Sequence, residues 1–230
     1  MKLRLTILFA LLFVAPALHA GTVRGVVTAE GKTEAGDSAE GGKYDSRKLK
    51  FAQRINYAEL RDFVVFIEGP TGYKSAHTNQ TVRVDTKRVN QQGAMFTPHV
   101  LPVVAGTTVE WPNNDNIFHN VFSMSEAKPF DLGLYKNPEV KRIAFDKAGR
   151  VDVFCSIHAN MSCVVLVLEN PWFAVADDRG HYSITNVPAG TYQLKAWHER
   201  LPAQSQPITV TETSEVKVDF KLGINNLPKY

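Results

Sequence analysis

From Gly21 onward, apolar and polar residues alternate with a period of two rather than 3.6, in short runs rich in β-branched and aromatic side chains. The pattern predicts strands at 22–28, 63–68, 100–104, 107–111, 120–123, 141–145, 151–155 and 163–168. Beyond Glu169-Asn170-Pro171 a second alternating series follows at 172–176, 181–185, 192–197, 207–211 and 216–222, with turns at 177–180 and 187–190. Many short strands joined by Gly, Pro, Asn and Asp indicate an all-β sandwich or barrel. The stretch 30–50 is polar and Gly-rich and reads as a surface loop; 47–61 reads as a short helix. The expected division is a first domain over 21–168 and a second over 171–230. A domain of about 60 residues buries little surface alone, so the second is expected to pack against the first.

The first twenty residues break the alternation. Lys2 and Arg4 precede an apolar run over 5–15, then Pro16 and Ala17-Leu18-His19-Ala20 before Gly21, the order of charged, apolar and small residues in a secretory signal. Cleavage is expected after Ala20. The run is shorter than the ~20 apolar residues that span a bilayer, and no later stretch is longer. The mature chain is therefore expected to be exported, without a membrane span, and periplasmic in a Gram-negative source.

Charge narrows the function classes. The 230 residues hold 26 Lys+Arg and 23 Asp+Glu, and removing Lys2 and Arg4 with the signal leaves 24 against 23. So even a balance lacks the basic footprint of nucleic-acid binding. No Gly-x-Ser-x-Gly elbow or phosphate-binding Gly loop occurs, so no enzyme activity is expected.

The candidate chemistry lies in Cys155-Ser156-Ile157-His158-Ala159-Asn160-Met161, between two predicted strands. Its Cys-x-x-His-x-x-Met spacing presents a thiolate, an imidazole and a thioether from one tight loop. A second imidazole, His119, precedes Asn120-Val121 at the start of another strand. Two His and one Cys with a weak axial Met form the donor set of a type 1, or blue, copper centre. Other roles stay open on the residues alone. Cys155 is also readable as a buried thiol or as half of a disulfide with Cys163, and Met124 or a backbone oxygen as the axial group. Zinc more often takes four strong ligands.

The loop and the His-Asn-Val strand resemble the cupredoxins, and the loop spacing is similar to that of the amicyanins. A wider resemblance runs through Phe96-Thr97-Pro98-His99-Val100-Leu101-Pro102-Val103, Phe118-His119-Asn120-Val121-Phe122-Ser123, Phe130-Asp131-Leu132-Gly133-Leu134-Tyr135, Phe173-Ala174-Val175 and Val187-Pro188-Ala189-Gly190-Thr191-Tyr192. This is similar to plastocyanin-like or methylamine-utilisation-type proteins that carry a carboxypeptidase regulatory-like domain. The polar insertion at about 30–60 and Cys163 depart from that pattern.

The resemblance implies a cupredoxin-like Greek-key β-sandwich followed by a small prealbumin-like sandwich with a carbohydrate-binding-like fold. It implies one copper ion held by His119, Cys155, His158 and Met161, with Asn120 tethering the loop near Ser156. His158 is then the edge through which an electron reaches a periplasmic redox partner docked on Ile157, Ala159 and Asn160. The leading expectation is a one-electron carrier. Two alternatives stand beside it: a copper-binding or copper-delivery protein without redox role, and a glycan-binding module in which Trp172 or Trp197 of the second domain stacks on a sugar.

Overall fold

The computed structural model describes residues 20–31, 56–69, 71–72 and 86–223. The expected signal up to residue 19, most of the polar stretch 30–50 and residues 47–55 of the expected helix lie outside the described residues. What remains of that helix is one 3-10 turn, Tyr57–Glu59, capped by the Asn56 side chain, which accepts from the Ala58 N–H at 3.2 Å. Every other element is a strand, and among the described residues no helix is long and apolar enough to cross a membrane.

The strands form two sandwiches. In the first, a five-stranded sheet runs in the order Val100–Val104, Ser162–Leu168, Gly149–Phe154, His119–Ser123, Phe130–Tyr135. A three-stranded sheet of Val140–Phe145, Thr107–Pro112 and Lys87–Arg88 supplies the other side of the core. Val109, Trp111 and Phe145 meet Val121, Val151, Val153, Val165 and Val167 between the sheets. This core also holds polar groups. Gln91 Nε2 donates to the Tyr135 hydroxyl at 2.6 Å, which donates to the Trp111 carbonyl at 2.8 Å, so part of the desolvation cost is recovered in hydrogen bonds, while Gln91 Oε1 and Trp111 Nε1 are buried with no partner among the described residues.

The second sandwich corrects the expected division at residue 168. Ala20–Ala29 pairs antiparallel with His181–Pro188 on one side, and parallel with Glu215–Lys217 and then Phe220–Leu222 on the other. Val64–Ile67 lies between Phe173–Val175 and Gly190–His198, with Leu201–Val210 completing that sheet. Val23, Val27 and Ile67 thus share a core with Tyr182, Ile184, Leu194, Ile208 and Leu222. Residues 87–168 alone build the first sandwich. Alternation identifies a half-buried strand but carries no information about which sheet it joins, and a segment 171–230 by itself would lack the middle strand of both of its sheets.

The two sandwiches pack through Ser162–Leu168. Cys163, Val165 and Val167 face the first core, while Val164, Leu166 and Leu168 meet Val64, Phe66, Phe173 and Trp197 of the second unit. Burial on both faces accounts for the unbroken apolar run over 163–168. This strand begins directly after Met161.

Candidate metal centre

The five-stranded sheet carries the candidate ligands to one end. His119 opens its strand and Cys155 follows the neighbouring antiparallel strand, whose Phe154 lies opposite Phe122. Period-two alternation turns Val151, Val153 and Cys155 inward on one strand and His119 and Val121 inward on the other. The loop from Gly149–Phe154 to Ser162–Leu168 is closed as a hairpin: the Cys155 N–H donates to the Met161 carbonyl at 3.1 Å and the Met161 N–H to the His158 carbonyl at 3.0 Å.

His119 Nδ1 and His158 Nδ1 are 3.1 Å apart, and Cys155 Sγ is 3.5 Å from His158 Nδ1. All three donor atoms lie within 4.8 Å of one another. Metal–nitrogen bonds of about 2.0 Å at a tetrahedral angle would put two nitrogens about 3.3 Å apart, so the spacing suits one shared cation. Met161 is buried in the same core as Cys155. Met124 is 86% exposed. His119 is wholly buried whereas His158 is half-buried, so His158 is the imidazole nearer to solvent.

Sequence reasoning passed over Asp115. Its carboxylate accepts from His119 Nε2 at 2.7 Å and from the Gly93 and Ala94 N–H groups at 2.8 and 3.0 Å. Burial alone would raise its pKa, but the Ala94 and Gly93 N–H groups and His119 together hold it below the usual carboxylate range. An ionised carboxylate only accepts, so Nε2 carries the proton and Nδ1 presents a lone pair to the cluster. Asn113 shapes the approach: its Nδ2 donates to the Ile117 and Tyr135 carbonyls, each at 3.0 Å, and its Oδ1 accepts from the Asp115 N–H at 2.8 Å.

The expected tether from Asn120 to the loop near Ser156 takes another form. Asn120 Nδ2 donates to Asp131 at 2.7 Å, its backbone N–H points at Cys155 Sγ at 3.5 Å, and its Oδ1 is buried with no hydrogen-bond partner among the described residues. Asp131 lies on the strand paired with that of His119 and captures the carboxamide. The backbone of Asn120, not its side chain, therefore reaches the thiol. Ser156 is exposed.

The two cysteines are not joined. Cys163 sits in the first core, where burial and then the nearby Asp152 push its thiol pKa far up, so it acts as an apolar filler. Ile157 is 52% exposed, and Ala159 and Asn160 are exposed beside it. Further apolar side chains are exposed on the segments that carry the site: Ile117 and Phe118 before His119, and Met95 next to the Gly93-Ala94 turn that holds Asp115. Trp172 and Trp197 are not open platforms. Trp172 packs on the second core and donates to the Asn186 carbonyl, while Trp197 packs between the sandwiches under the Arg150 guanidinium. His198 packs at a tilt against Phe63 and accepts from the Arg200 N–H, and His181 faces Asp177. His77 lies outside the described residues.

Comparisons with known proteins bear on both halves. The family model for polysaccharide lyase family 4, domain II, matches residues 171–218. No curated protein matches the chain. Among solved structures, a copper-containing nitrite reductase from Thermus scotoductus SA-01 is 27% identical at a TM-score of 0.37, over 44% of this chain and 26% of its own length. The chain thus spans about a quarter of that reductase. A methionine-to-alanine mutant of amicyanin in the Cu(I) form is 23% identical at a TM-score of 0.35, over 38% of this chain and 86% of its own. A purple cupredoxin from Nitrosopumilus maritimus is 25% identical at a TM-score of 0.32, over 35% of this chain and 98% of its own.

Proposed function

We propose that the protein is an exported one-electron carrier that holds a single type 1 copper ion at His119, Cys155, His158 and Met161, and that it makes or breaks no substrate bond. The convergence of His119 Nδ1, His158 Nδ1 and Cys155 Sγ within 4.8 Å carries this reading. The order of charge, apolar run and small residues over 1–20 supports export to the periplasm.

Copper bound there would supply a centre that gains and loses one electron. The chain's residues do the rest. Asp115 fixes the His119 tautomer, and the Asn120 N–H stabilises the thiolate of Cys155. Both ligands stand at the ends of paired strands over a packed core, so the donors move little when the charge at the site changes by one. His158 is the route outward. The exposed Ile157, Ala159 and Asn160 around it, with Ile117 and Phe118, suit brief apolar docking of a periplasmic redox protein.

A glycan-binding role through Trp172 or Trp197 loses its support, because both rings are engaged in packing. Copper delivery without a redox role differs from the carrier in outcome: its metal exchanges readily. The deciding experiment adds Cu(II) to the purified protein and records visible and electron paramagnetic resonance spectra. An intense blue thiolate band that disappears in Cys155→Ser is expected. A band that survives Cys155→Ser, or its absence from the parent protein, overturns the reading.

A further inference from the structure

His99 stands where the ligand loop runs into the interface between the sandwiches. Its Nδ1 is 3.2 Å from the Ser162 carbonyl oxygen and its Nε2 is 3.0 Å from Glu199 Oε2. Its own carbonyl accepts from the Val164 N–H at 2.8 Å. Ser162 is the residue after Met161, whereas Glu199 belongs to the second sandwich, in the connection between Gly190–His198 and Leu201–Val210. One imidazole therefore bridges the two units beside the loop.

Both of its partners are acceptors. A neutral imidazole carries a single N–H and satisfies one of them, whereas the imidazolium satisfies both. The surroundings agree in sign: the Glu199 and Asp62 carboxylates face His99, and its pKa is raised, first by the hydrogen bond to Glu199, despite partial burial. His198 and Arg150 also act on Glu199, and the Arg150 guanidinium donates to the Glu199 carbonyl at 3.1 Å while covering the Trp197 ring. The tie is thus braced from both units.

We propose that His99 is a positioning residue for the ligand loop: as an imidazolium it pins the Ser162 carbonyl to Glu199, so that packing of the second sandwich sets where Met161 stands relative to His119, Cys155 and His158. This rests on the copper reading of the site. It gives the second sandwich a role without a ligand of its own. Loss of the tie leaves the first residue of that strand held by its pairing with Phe154 alone, and the slack passes to the neighbouring Met161.

Two measurements on the full-length protein test it. In metal-free protein labelled with 15N-histidine, the His99 ring, identified by its loss in His99→Gln, is expected to carry protons on both nitrogens at pH 6; a singly protonated ring overturns the proposal whatever the metal. In copper-loaded protein, His99→Gln and Glu199→Gln are both expected to change the visible and paramagnetic spectra, to flatten the pH profile of the reduction potential, and to lower copper affinity by about tenfold, the low end for residues that hold ligands in place. A blue parent protein whose two variants match it in spectrum, potential and affinity overturns the proposal alone. A parent protein with no blue band overturns the copper reading and this proposal with it. Glu199→Gln keeps the comparison decisive should His99→Gln fold poorly.

Discussion

The Asp115 carboxylate accepts a hydrogen bond from His119 Nε2 at 2.7 Å while two backbone N–H groups of the Gly93-Ala94 turn donate to the same carboxylate, Ala94 to the oxygen that meets His119 and Gly93 to the other. A buried imidazole is therefore aimed by an acid anchored outside its own strand. Removing the carboxylate frees the ring and withdraws a negative charge from the site. Asp115→Ala is expected to weaken copper binding by about 10- to 100-fold and to raise the reduction potential, since the more positive oxidised state loses more. Competition titration and protein-film voltammetry measure these; an unchanged potential would show that the pair has no hold on the metal.

The segment 171–230 is expected not to fold alone. It lacks Ala20–Ala29, which pairs on both sides in one sheet, and Val64–Ile67, which is central in the other. Its proton NMR spectrum should show the narrow amide dispersion of an unfolded chain. A dispersed spectrum would mean that the strands from 20–67 are accessories.

Leu166 tests the contact between the sandwiches, because it is 6% exposed and faces Val64, Phe66 and Trp197 within the interface cluster. Leu166→Ala is expected to cost about 2–4 kcal/mol in urea unfolding, the range for a buried leucine that leaves a cavity. A cost below about 0.5 kcal/mol, typical of surface changes, would mean that the interface closes over the loss.

The His99–Glu199 pair predicts a pH dependence with a definite sign. His99 is raised, first by its bond to Glu199, so its contribution is complete below its unfolded value of about 6.5 and is lost as pH climbs through the higher folded value. Glu199 is lowered, first by its bond to His99, so its share is present above about 4.5 and is lost as pH falls through the depressed folded value. The parent protein should exceed Glu199→Gln in stability most clearly near pH 5–6, by about 1 kcal/mol after allowing for partial exposure. That margin should shrink towards pH 9. Denaturation curves at several pH values check it, and a margin that grows with pH contradicts the assignment.

Much of the site was legible because its signals are local. Cys155, His158 and Met161 share one loop, and alternation along 151–155 turns the cysteine inward before any coordinates are known. Pairing partners were not legible. The strand 20–29 alternates as clearly as its neighbours, yet nothing in its side chains names partners near residues 181–188 or 215–222. Asp115 escaped for a different reason: among Asn113, Asn114 and Asn116 an acid reads as turn chemistry, and loops lack the periodicity that would show where its carboxylate points. The hairpin of Asn90–Gln92 and Met95–Thr97 escaped because Phe96 is its one buried apolar residue and the buried residue opposite it is Gln91, a polar side chain in a position that hydropathy assigns to solvent. Asn120 was expected to tether the ligand loop, but its partner Asp131 sits on a strand interrupted by Gly133, which the alternation pattern did not pick out.

The hydrogen bond from the Val26 N–H to Asp219 joins residues 193 positions apart, and it carries a consequence for the order of assembly. A chain that emerges from its amino end delivers Ala20–Ala29 and Val64–Ile67 long before their partners exist. Residues 87–168, by contrast, hold every strand of their own sandwich and can close as soon as they appear. The copper-site half is thus free to fold first, while two unpaired strands wait as sticky edges until the last segment arrives. The order of emergence therefore sets a clock on this protein, and the interval before residues 181–222 appear is when a chaperone for extended segments would matter most.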